Sequence, residues 1–192
     1  MTVFKAGLLV LAGLFATPAM AAETIDPARI ISAATGDWNQ DGSTDLAMLV
    51  SPEEGSDADN GVYIYLASET GALELKSAIP NKVWGDLQMA GRIPSITALP
   101  NGSFTLTSLN DSVGRDRWEQ TLTIAYRNFD FVVAGYTFTS RDTLDPEAGD
   151  DCDLNVLTGK GKHNGSPITA KAEIFFLKDW TDERGRSACG LE

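Results

Sequence analysis

Apolar and polar residues alternate with a period of two along most of this chain, in short runs broken by Gly, Pro, Asn or Asp. No other feature constrains the fold as strongly, because successive side chains of an extended strand point to opposite faces. Strands are expected over Arg29–Ala34, Thr44–Val50, Val62–Ala67, Leu73–Lys76, Ser95–Leu99, Phe104–Ser108, Trp118–Tyr126, Phe131–Ser140 and Ala170–Leu177. The clearest pair is Gln120–Tyr126 with Phe129–Phe138, joined through Arg127-Asn128, and Asn101-Gly102 marks a second hairpin. No segment carries a 3.6-residue apolar stripe with caps, and Lys82–Met89 accommodates one or two helical turns at most. The expected fold is all-β: an antiparallel meander forming a sandwich or a partial propeller-like sheet assembly, with little helix.

The first 21 residues follow a different logic. Lys5 gives a positive start, Ala6–Phe15 is apolar, and Ala19-Met20-Ala21 supplies a small-x-small cleavage pattern. Residues 1–21 therefore read as a signal peptide and residues 22–192 as a single β-rich domain. The apolar run is shorter than the ~20 residues a membrane-spanning helix needs, so membrane insertion is not expected. The formal net charge of −12 argues against nucleic acid, whose binding rests on cations that neutralise phosphates. The expected location is periplasmic or secreted. Two cysteines, Cys152 and Cys189, then read as a disulfide, closing a loop of about 38 residues worth about 4 kcal/mol on the chain-entropy account.

One stretch departs from plain strand-and-turn chemistry. From Asp37, oxygen-bearing side chains fall at relative positions 1, 3, 5, 7 and 9 (Asp37, Asn39, Asp41, Ser43 and Asp45), with Gly42 at position 6. Ca²⁺ takes roughly six to eight oxygens in forgiving geometry, and a glycine at the sharp turn lets a short loop wrap it. Position 12 is Met48, which excludes the EF-hand pattern with its acid there. A strand-like segment lies on each side, so the ion is expected between strands, with Ca²⁺ as the cofactor. The competing reading is an Asx-rich hairpin without metal, since Asp, Asn and Gly all favour turns.

Gly36-Asp37-Trp38-Asn39-Gln40-Asp41-Gly42-Ser43-Thr44-Asp45-Leu46 resembles the core of the FG-GAP/VCBS repeat, including the aromatic after the first aspartate. The resemblance covers about Arg29–Leu66 and occurs once. It implies ligation by the side chains of Asp37, Asn39, Asp41 and Asp45 and by the backbone carbonyl of Ser43. In that family several copies build propeller blades, each braced by its ion.

The acidic segments Ser51–Asn60 and Asp142–Asp153 read as solvated loops, the first lying near the ion. His163, the lone histidine, lies among glycines in an expected exposed turn, without the partners a nucleophilic mechanism needs. Tyr63 and Tyr65 share a strand face, which is more often packing than a ligand platform. No catalytic residue is assigned. The leading expectation is an exported calcium-binding domain that is a binding or envelope-structural module, with a protein or glycan partner. The alternatives are a secreted hydrolase using carboxylates and an inhibitor presenting the acidic loop Asp142–Asp153.

Overall fold

The computed structural model describes residues 24–145 and 147–191. The expected signal peptide, residues 1–21, lies outside the described residues.

Two antiparallel sheets account for the fold. The first holds β1 (Ile30–Gly36), β2 (Asp45–Val50), β3 (Asn60–Ala67) and β4 (Leu73–Val83) in that order. The second begins with β5 (Ser95–Ala98), β6 (Phe104–Asn110), β7 (Asp116–Arg127) and β8 (Asp130–Asp142). It continues through β9 (Asp151–Asn155), β10 (Lys160–His163) and β11 (Ser166–Thr169), again in chain order. The architecture is an all-β sandwich-like pair of meanders, as the alternation implied. Edge strands β1 and β5 run beside each other, and the Ile96 N–H donates to Ser32 Oγ at 3.1 Å.

Period-two burial decides what each face does. Ala47, Leu49, Val62 and Ile64 turn inward and meet Phe104, Leu106, Leu122, Ile124, Tyr136 and Phe138 of the second sheet in one apolar cluster. The intervening Met48, Val50 and Tyr63 form a smaller cluster on the opposite face, with Leu46 and Tyr65 packed against it. Packing thus accounts for the tyrosine pair.

Several boundaries differ from expectation. β4 runs on through Pro80 to Val83, which an edge strand tolerates because one row of its N–H groups faces no partner. Lys82–Met89 contains no helix: its first two residues finish β4 and the rest is irregular. The β7–β8 turn is Asn128-Phe129 rather than Arg127-Asn128, with both residues at positive φ (51° and 63°), the conformation of a two-residue hairpin turn that matches strand twist. Ala170–Leu177 is not a strand and contributes a single bridge, Val132 with Phe176. Its apolar residues pack individually, Phe175 edge-on to Trp180. Part of the expected Asp142–Asp153 loop is also strand, because β8 extends to Asp142 and β9 starts at Asp151.

The helix α1 (Asp182–Cys189) was not expected. Gly185 sits mid-helix, where it costs up to ~1 kcal/mol relative to Ala. Its position is explained by packing: a Cβ there would lie 2.6 Å from the Tyr136 ring. Gly190 ends the helix in a left-handed conformation (φ 74°), its N–H reaching the Arg186 and Ser187 carbonyls. Cys152 of β9 and Cys189 of α1 are disulfide-bonded, with their Cα atoms 6.1 Å apart.

Candidate metal centre

The loop between β1 and β2 starts at Gly36 and closes at Asp45, which are paired across the two strands. Trp38 drives it inward. Its side chain is 1% exposed and packs on Phe104, with ring centroids 5.2 Å apart. The indole folds back over Gly36, where a Cβ would meet it at 2.3 Å, so the Gly-Asp-Trp order is a steric requirement.

Polar groups of the loop close on its own backbone. Asp37 accepts the N–H of Asp41 at 3.0 Å through one oxygen and that of Gly42 at 2.9 Å through the other. Asn39 accepts the Asp41 N–H at 3.2 Å and donates its amide to Asp41 Oδ2 at 2.7 Å. Asp41 Oδ1 accepts from the Ser43 N–H at 2.7 Å. That backbone bond first, and the Asn39 amide second, hold the Asp41 carboxyl below its ordinary pKa. Gln40 (φ 62°) and Gly42 (φ 89°) take the left-handed conformations that let the chain curl this tightly. Beneath the loop, Leu99–Gly102 of the β5–β6 hairpin lines a hollow of about 430 Å³, and a Cβ on Gly102 would reach the Asp37 carbonyl at 3.0 Å.

Asp45 occupies a different position from the other four. It is fully buried, and its carboxylate accepts the Trp38 N–H at 2.8 Å and the Ala67 N–H at 2.9 Å. It therefore ties the loop to the end of β3. Among the described residues no three His, Cys, Asp or Glu side chains gather into a group able to hold a metal. Any ion at this loop must draw on the Asn39 amide and backbone carbonyls as well as carboxylates. The donor set fits that demand at the rim: the carboxylate oxygens of Asp37 and Asp41 keep acceptor capacity beyond the hydrogen bonds they take within the loop.

The remaining sequence candidates disperse. The Ser51–Asn60 loop joins the far end of β2 and so lies away from Asp37–Asp45, because six extended residues span about 20 Å. There Glu53 pairs with Arg29, and burial raises the pKa of Asp59. Asp142 pairs with Arg115 at 2.5 Å. His163 is not in an exposed turn. It ends β10 opposite Cys152, and its Nε2 lies 2.9 Å from Asp150 Oδ1.

Two clusters escaped sequence reasoning altogether. Where α1 meets the sheets, Lys82 Nζ donates to the Trp180 carbonyl, and burial depresses the Lys82 pKa against the pull of Asp182 and Asp179. Burial likewise raises Asp182, although a hydrogen bond from Gln120 opposes it. These groups come from β4, β7 and α1, and no local pattern announces them. The second cluster is a group of arginines, Arg117 of β7 and Arg141 of β8 among them, at the end of that strand pair away from its turn.

Comparison with protein-family models, with curated proteins and with solved structures finds no match for this chain.

Proposed function

We propose that this chain is an exported, non-enzymatic β-domain whose β1–β2 loop takes one Ca²⁺ and so braces a surface for a protein or glycan partner. In this reading Asp37, Asn39 and Asp41 reach the ion with the Ser43 carbonyl, and Asp45 holds the loop from beneath. One observation carries the reading: Asp37 grips the N–H groups of Asp41 and Gly42, curling the oxygen-rich segment before any ion arrives. Preorganisation of that kind lowers the ordering cost of binding.

Calcium would act on stability, since a ligand that binds only the folded state adds RT ln(1 + [L]/Kd), about 2.7 kcal/mol at a hundredfold excess over Kd. For a site of extracellular type, Kd on the order of 10⁻⁴–10⁻³ M is expected, with Mg²⁺ a poor substitute. Melting scans with EDTA, Ca²⁺ and Mg²⁺, together with calorimetric titration, test this on wild type and Asp41→Ala. The expected result is a calcium-specific rise in Tm that Asp41→Ala abolishes. No calcium uptake and one melting temperature in all three conditions would reduce the loop to a polar hairpin.

A further inference from the structure

On the outward face of the second sheet, Arg117 of β7 stands directly opposite Arg141 of β8. Like charges in directly opposed positions destabilise a strand pair, so their juxtaposition calls for a compensating anion. Asp111 supplies one for Arg141, through a side-chain ion pair. Arg115, nearby, is likewise matched by Asp142. Arg117 has no ion pair among the described residues, and its Nη1 is buried without a hydrogen-bond acceptor. A buried donor on a charged group is expensive to leave unmatched.

Both arginines line a cleft of about 260 Å³, shared with Asp111, Glu119, Thr139 and Ser140. The planar guanidinium fork matches a carboxylate or a phosphate in bidentate geometry. Charge chooses between the two. Asp111 and Glu119 line the same cleft, so its formal charge is balanced, and a dianion would meet two fixed carboxylates. A monoanion gains the Arg117 fork with half that repulsion. The Thr139 hydroxyl, on the same face as Arg141, offers a further donor.

We infer that this cleft is a carboxylate-binding site, in which Arg117 holds the carboxylate of a small organic acid or of an acidic sugar. The inference does not depend on the calcium reading, since the residues involved lie on β7 and β8 and not on the β1–β2 loop.

The test is NMR titration of the disulfide-intact protein with acetate and with glucuronate at constant ionic strength, observing Arg117 Nε–Hε and the Thr139 and Ser140 amides. Saturable shifts are expected with both, weaker by about tenfold or more in Arg117→Gln and unchanged in Arg115→Gln. Arg117→Lys keeps the charge without the fork and should also weaken binding, so it carries the comparison if Arg117→Gln melts early. Tighter binding of glucuronate than acetate would identify the acidic sugar, with its hydroxyls beside Thr139; equal affinities would identify the small acid. Non-saturating shifts, equal shifts with chloride, full affinity in both Arg117 variants, or phosphate binding more tightly than acetate would each overturn the assignment.

Discussion

The Asp37–Asp45 loop and the segment from Ala170 to Leu191 are both largely without strand structure, yet they are held in opposite ways. Within the loop, hydrogen bonds join residues two to seven positions apart, and one buried indole serves as the anchor. The C-terminal segment is fixed by distant partners. The Val133 N–H reaches the Phe175 carbonyl at 2.9 Å, Lys82 reaches the Trp180 carbonyl, and Cys189 is bonded to a residue 37 positions earlier. The first region carries most of its conformation in its own residues, with Phe104 and the Ala67 N–H as its distant supports. The second borrows its conformation from a sheet that must already be in place.

The largest expected effect breaks the C-terminal side of this contrast. Replacing both Cys152 and Cys189 by Ser should cost about 4 kcal/mol on the chain-entropy account. Limited proteolysis should then cut at Arg184 or Arg186 of α1, while hydrogen exchange at Asp41, Gly42 and Ser43 stays as in wild type. Equal loosening of both regions would show that the loop depends on the far end of the chain after all.

Next in size is Asp45→Ala. It strips two buried N–H groups, those of Trp38 and Ala67, of their acceptor, and each such loss costs roughly 1–3 kcal/mol. Denaturant unfolding should therefore show a loss of about 3 kcal/mol that persists in EDTA. Asp41→Ala should lose mainly the calcium-dependent part. This pair of variants separates the residue that holds the loop from the residues that face the ion.

The smallest effect concerns Asp150 and His163, which tie β10 to the chain just before β9. The hydrogen bond from His163 leads the causes that hold the Asp150 carboxyl below its ordinary value of 3.8. Stability from a depressed carboxyl is present above that ordinary value and is lost as pH falls through the lower, folded one. His163→Ala should cost under about 1 kcal/mol, because both side chains are partly exposed. The difference from wild type should shrink as pH falls below 3.8, as read from paired denaturation curves.

The same contrast governs what the sequence disclosed. Strands with one apolar face, such as Phe104–Ser108 and Gln120–Tyr126, are written in their alternation. The Gly36–Leu46 segment was legible because its turn chemistry is local. What it did not disclose was the double use of Asp45, which depends on the Ala67 N–H from β3. Strands β9, β10 and β11 escaped because Asp153, Lys162 and their neighbours are polar on the exposed face and turn residues crowd the connections. Ala170–Leu177 misled because its alternating apolar residues fill gaps beside the sheet instead of pairing within it. The helix α1 buries only Gly185 and Cys189, too little to write a stripe. Its local marks were Thr181 followed by Asp182-Glu183 at the start and Gly190 at the C-terminal end. Arg117 and Arg141 lie 24 positions apart, and only the β7–β8 register brings them together.

The strictly consecutive strand order has a consequence for how the chain reaches this state. Within each sheet every strand pairs with the one made just before it, and β5 alone starts a new sheet, so each pairing closes only a short loop and each sheet can grow from its first hairpin onward. Helix α1 is the exception, because its docking site on β8 and β9 exists only after those strands have paired. The thiols of Cys152 and Cys189 therefore meet last. Since the chain has only these two, the cross-link has a single intramolecular outcome and acts as a latch on a finished sheet.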